Sequence, residues 1–206
     1  EYKACAVTLT KVAARALARP RRDGRPQPEH PAPHVSLGQI DAIAEFLGVA
    51  AEPVPVFDPN GRAYLAGLLA GLATAVKERR PGARVIGVPP EGSNAVTESL
   101  TSGAPARIPA VRTICDALIA QNPGRLPFAH LQRYVDGMVL VTDDEVKRAI
   151  AWVVEHAKLV VEAGGAVGVA ALLAGKAEAR GRTVVLLSGG NIAPATLAQY
   201  LEEAGG

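Results

Sequence analysis

The chain has 206 residues, enough for one domain or one and a half small ones. Hydrophobic residues make up 49% and charged residues 20%, which supplies a full core and argues against global disorder. The formal net charge of +2 lacks the strongly basic balance of a nucleic-acid or membrane-surface binder, so neither partner is expected. Much of the positive charge lies in Arg15, Arg19, Arg21, Arg22 and Arg25, which read as a solvated loop. Two cysteines, Cys5 and Cys115, without a CxxC pair, imply neither a disulfide framework nor a zinc site. Reduced thiols fit a cytoplasmic protein. No apolar run approaches the roughly 20 residues of a membrane span. The sequence opens at Glu1 without a methionine or a signal pattern, and it is expected to be a piece of a longer protein or a trimmed product.

In chain order, residues 3–18 read as an Ala-rich helix ended by Pro20. The prolines at 20, 26, 28, 31 and 33 then forbid regular structure, because each fixes φ and removes a donor. Residues 36–48 place Leu37, Ile40, Ile43, Ala44 and Leu47 at helical spacing between a Ser36 cap and a Gly48 stop. Val54–Val56 is a short extended run. Residues 64–79 form an apolar helix, its small Gly67 and Gly71 suited to close packing, ended by Pro81-Gly82. A buried strand over 84–88, a helix over 91–102 and a loop over 103–113 follow. Residues 138–141 form another strand. Thr142 and Glu145 make a capping box for a helix running to about His156. A helix over 166–174 ends at Gly175, a strand covers Thr183–Leu187, and Pro194 opens a last helix over 194–204. Strands alternating with helices argue for a parallel sheet covered on both faces.

Three segments carry chemical meaning. Ser188-Gly189-Gly190-Asn191 ends a strand, where α/β sheets bind ligands and where glycines let a ligand near the backbone. A tight strand-to-helix turn explains the same glycines equally well. Glu162 lies between an apolar run and the small residues 163–168, and it needs solvent or a partner. It also suits a helix N-terminus as a charge complementing the dipole. In the third segment, 113–145, Asp116 reads as a turn cap, and Asp143 and Asp144 read as solvating a helix start.

These segments, in order and spacing, resemble the catalytic domain of fold-type II pyridoxal-phosphate enzymes, most closely the threonine/serine dehydratases and serine racemase. Ala83–Gly92 (ARVIGVPPEG), the stretch LVVEAGGAVGVAALLAGK and VVLLSGGN carry the resemblance. It covers roughly residues 65–204, with a fainter match back through His30-Pro31 and Pro33-His34-Val35. It implies an α/β fold, a three-layer parallel sheet of the tryptophan-synthase-β-like type, incomplete because its N-terminal part is missing. The expected division is an N-terminal helix with a Pro/Arg segment over 1–35 and the α/β portion over 36–206. It also implies pyridoxal phosphate, a small hydroxy-amino acid as partner, and deamination of L-threonine or L-serine by β-elimination. A fragment of such a sheet is expected to expose apolar surface and to form a homo-oligomer.

Residue by residue, the resemblance implies that Ser188 bonds the cofactor's pyridine nitrogen and that Gly189 and Glu162 line the same cleft. Ala163 stands where the family has proline. The four phosphate-binding glycines fall on Tyr64, Leu65, Ala66 and Gly67, so only Gly67 matches, after an insertion at Phe57–Ala63. Arg62 reads as a solvated loop residue. The family's metal-ligand positions fall on Pro89 and Ala95, and Ala117 replaces a cleft glycine, so no metal is expected. The family's Schiff-base lysine and its following Gly-Asn-His turn have no counterpart, and Lys3 and Lys11 lack the context; no catalytic residue is assigned. The alternative to an active lyase is a catalytically incompetent remnant acting at most as a binding module.

Overall fold

The computed structural model describes residues 67–205. The expected elements over 3–18, 36–48 and 54–56, and the boundary near residue 35, lie outside them. Six α-helices and two short strands make up the described part, in the order α1 (Gly67–Arg79), β1 (Ile86–Gly87), α2 (Ala95–Ser102), α3 (Arg125–Tyr134), β2 (Gly137–Met138), α4 (Asp143–Trp152), α5 (Ala163–Leu173) and α6 (Pro194–Ala204).

β1 and β2 pair in parallel, Ile86 with Gly137 and Gly87 with Met138, and a further parallel bridge joins Pro90 to Val141. α2 and α3 form the crossover between them, the long connection that parallel strands require. A Cβ at Gly87 would lie 2.5 Å from Met138 Sδ and 2.6 Å from Leu69 Cδ2, so those two side-chain ends would have to shift to admit one. The regular pairing is shorter than the expected strands over 84–88 and 138–141. Asp136 accepts from the Val85 amide at 2.6 Å and from Lys77 Nζ at 2.7 Å, so a side chain takes over where the ladder stops.

The helix expected over 91–102 is divided. A 3-10 turn at Glu91–Ser93 precedes α2, because the Gly92 carbonyl accepts from the Arg112 amide at 3.0 Å instead of continuing a helical ladder. The capping box is present: the Glu145 amide donates to Thr142 Oγ1 at 3.2 Å and the Thr142 amide donates to Glu145 Oε2 at 2.8 Å. After Trp152 the helix widens into a π-turn over Val153–Ala157, and Lys158 follows in the left-handed region at φ 56°.

α5 starts at Ala163, three residues before the expected start. Its glycines permit close approach: a Cβ at Gly165 would lie 2.9 Å from the Gly189 carbonyl oxygen, and one at Gly168 would lie 2.8 Å from Val185 Cγ1. Gly175, at φ 67°, closes the helix as expected. The strand expected at Thr183–Leu187 pairs with no strand among the described residues; its neighbour there is α5, which offers side-chain packing rather than a ladder. α4 packs on α5 and α6 around a core that includes Cys115, Val146, Ile150, Val161, Ala166 and Leu187. No helix among the described residues is long and apolar enough to cross a membrane.

Candidate functional site

The site is built around the first turn of α5. Glu162 precedes that turn in extended conformation, and its amide donates to the Gly189 carbonyl at 3.0 Å. Its carboxylate turns back over the same backbone and accepts from the Asn191 amide at 2.9 Å. A Cβ on Gly189 would lie 2.3 to 2.8 Å from that carboxylate, so glycine is what allows Glu162 to lie across the turn. Sequence reasoning offered Glu162 as a cleft-lining group or a helix-dipole charge. The structure places its carboxylate on the 189–191 backbone.

Ser188 heads this turn, half-buried, and its hydroxyl has no hydrogen-bond partner among the described residues. Ser188, Gly189 and Glu162 are therefore brought together. Gly67 is buried at the start of α1, and no hydrogen bond among the described residues joins it to the other three. Tyr64, Leu65 and Ala66 lie outside the described residues. At the family's metal positions, the Pro89 carbonyl accepts from the Val141 amide at 3.2 Å and Ala95 is buried.

A second turn borders α5 from the other side. Asp116–Leu118 is a 3-10 turn whose N-cap position is Cys115; Asp116, expected to cap it, is its first residue and accepts from the adjacent Ala117 amide at 2.8 Å. A Cβ at Gly164 would meet Ala117 Cβ and Leu118 Cγ at 3.3 Å each. Two residues hold this turn that sequence reasoning did not single out for it. Asp143, expected to face solvent, accepts from Thr113 Oγ1 at 2.6 Å and from the Ile114 amide at 3.0 Å. Ser93 donates to the Leu118 carbonyl at 2.7 Å. The one local signal was a carboxylate beyond the helix start's needs, since Thr142 and Glu145 already cap α4. Cys115 is fully buried in the same turn, and burial is the main reason its thiol is pushed up to about 12, with Asp143 and Asp116 adding to the rise against a lowering hydrogen bond from Thr113.

The four lysines among the described residues are engaged elsewhere. Lys77 pairs with Asp136 at 2.7 Å, Lys147 with Glu203 at 2.7 Å, and Lys176 with Glu145 at 2.8 Å; Lys158 Nζ donates to the Glu155 carbonyl at 2.5 Å.

The family model described as "Pyridoxal-phosphate dependent enzyme" matches residues 10–189. An L-threonine ammonia-lyase of Thermotoga maritima is 37% identical over 161 residues, which is 78% of this chain and 39% of that protein. The L-threonine ammonia-lyase of Geobacter sulfurreducens is 39% identical over 82% of this chain and 42% of its own length. A phenylserine dehydratase of Ralstonia pickettii is 40% identical over 80% and 50% respectively. The chain thus spans half or less of the length of these curated relatives. Among solved structures, the processed threonine deaminase isoform 2 of Solanum lycopersicum matches with a TM-score of 0.64 at 28% identity, covering 80% of this chain and 55% of that one. Maize serine racemase matches with a TM-score of 0.61 at 29% identity, covering 68% and 44%. These matches bear out the expected fold class, of which the chain covers a portion.

Proposed function

The chain belongs to the pyridoxal-phosphate-dependent enzyme family, and on that premise we propose that it carries the ring-binding side of a site that deaminates a small hydroxy-amino acid, L-threonine or L-serine, to a 2-oxo acid and ammonia. The observation that carries this reading is the half-buried Ser188 hydroxyl, without a hydrogen-bond partner among the described residues, at the head of a turn that Glu162 clamps.

The donor set fits the ring of the cofactor. Ser188 offers one hydroxyl, and Gly190 offers no side chain to obstruct a flat group. When bound, pyridoxal phosphate supplies an electron sink that loosens the α-proton of an amino acid. Ser188 would donate to the ring nitrogen and, being neutral, would place no proton on it. That moderates the sink and suits loss of a β-hydroxyl over chemistry that needs a full positive charge. Glu162 acts on the turn, fixing the Gly189 carbonyl and the Asn191 amide so that Ser188 keeps its direction. On the anion side, Gly67 at the start of α1 matches one position of the family's glycine run.

A second reading, a scaffold that binds without turnover, is favoured by the lysines, since each of the four described is bonded away from Ser188. Borohydride reduction of the chain with pyridoxal phosphate, followed by peptide mass spectrometry, separates the two. A single stoichiometric adduct on one lysine, with 2-oxo acid released from threonine or serine, is expected for the lyase. Scattered or absent labelling overturns it in favour of the scaffold. Ser188→Ala is expected to weaken cofactor binding about tenfold, the loss of one hydrogen bond from a desolvated donor.

A further inference from the structure

Asp143 sits at the first residue of α4, a helix whose N-terminus is already closed by the Thr142–Glu145 capping box. Its neighbour Asp144 is 77% exposed and, among the described residues, pairs only with Lys147, at 3.3 Å. Asp143 instead spends both carboxylate oxygens on the 113–118 turn, one on the Thr113 hydroxyl and one on the Ile114 amide. Thr113 Oγ1, so oriented, accepts from the Cys115 amide at 3.1 Å. The far end of the turn is held by Ser93, which bonds the Leu118 carbonyl and accepts from the Ala120 amide at 3.3 Å. Between these anchors stand Ala117 and Leu118, against the glycine face of α5. The next residue of the same helical turn, Gly165, lies against Gly189, the residue next to Ser188. A movement of Ala117 and Leu118 is therefore felt, through the first turn of α5, at the backbone beside Ser188.

We propose that Asp143 is a positioning residue for the cofactor cleft: its paired bonds to Thr113 and Ile114 set where Ala117 and Leu118 stand against the glycines of α5, and so set the space beside Ser188. This rests on the functional reading above for the identity of the ligand, but the clamp itself does not. A carboxylate suits the task because it accepts from a hydroxyl and an amide at once, and bonds to a charged acceptor are the stronger kind.

Cys115 reports on the clamp without any cofactor. It is fully buried within the turn, and in a Cys5→Ser background it is the sole thiol. Alkylation of Cys115 is to be timed in that background for wild type, Asp143→Ala, Asp143→Asn and Asp144→Ala, each checked for an unchanged helical circular-dichroism spectrum. Pyridoxal phosphate is then added to each and its protein-bound absorption and emission are titrated. Asp143→Ala is expected to speed alkylation tenfold or more, the consequence of losing bonds to a charged acceptor. It is also expected to shift the bound-cofactor band and weaken binding by a similar factor. Asp143→Asn, which keeps one acceptor, is expected to fall between, and Asp144→Ala, which loses the same charge from the helix start, is expected to match wild type. Unchanged alkylation in Asp143→Ala overturns the clamp. Faster alkylation with an unchanged cofactor band and affinity reduces Asp143 to a structural residue and overturns the proposal. A wild type that shows no bound-cofactor band sinks the functional reading and with it the cofactor role of Asp143, and the alkylation rates then show separately whether the clamp stands.

Discussion

Two turns border the first turn of α5, and they are secured in different ways. The 113–118 turn is tied at both ends by residues far away in the chain, Ser93 on one side and Asp143 on the other, and behind them Gly92 bonds Arg112. The 188–191 turn is held by Glu162 through both its amide and its carboxylate. The first spreads its support over several elements, so the loss of one bond leaves others in place. The second concentrates support in one residue whose carboxylate lies on the glycine next to Ser188. Shared support suits a wall, and concentrated support suits a turn whose direction is set from a single point.

That contrast can be broken at its strongest contact first. Gly92→Ala would set a Cβ 1.6 Å from the Arg112 carbonyl oxygen, a backbone atom that cannot move aside cheaply. A loss of about 3 kcal/mol in urea unfolding is expected, the upper range for overpacking. Glu162→Ala removes both the cover over Gly189 and the acceptor for the Asn191 amide, and it is expected to cost about 2 kcal/mol by thermal denaturation, with Glu162→Gln recovering most of it. Ser93→Ala, at one end of the doubly tied turn, is expected to cost only about 1 kcal/mol, because Asp143 still holds the other end. A Ser93→Ala loss equal to that of Glu162→Ala would show that support is not shared.

The share of the alkaline limb of the stability curve that Cys115 contributes sharpens the same comparison, since Cys115 sits in the 113–118 turn. Cys115 is raised from 9.0 to about 12 in the folded chain, chiefly by burial. The unfolded thiol therefore loses its proton first. The contribution of Cys115 is complete below pH 9.0 and fades as pH climbs toward 12. The slope approaches about 1.4 kcal/mol per pH unit. Cys115→Ala is expected to flatten this limb, and an unchanged slope in chemical unfolding between those values would refute the assignment.

What the sequence disclosed follows the distance over which each feature is decided. The Thr142–Glu145 box is settled within four residues, and it formed as read. Ser188, Gly189 and Glu162 were legible through a motif, and they meet. The clamp by Asp143 was not, because a carboxylate's partner 30 residues away leaves no local pattern. The start of α5 was placed three residues late for a related reason: what makes glycine acceptable at position 165 of that helix is the Gly189 backbone, which comes from another part of the chain. The strand at 183–187 was inferred from its β-branched residues, but a strand exists only with a neighbour to bond, and among the described residues its neighbour is a helix.

The π-turn at Val153–Ala157 bears on how this segment tolerates changes of length. A π-turn holds one residue more than an α-helical turn, so the chain between α4 and Glu162 already contains the equivalent of an insertion. Removing one residue there would return the wide turn to ordinary α-helical winding and leave the residues on either side in phase. Val161 would stay in the core and Glu162 would still face Gly189. The stretch from Thr142 to Glu162 therefore carries one residue of slack, stored in a single wide turn.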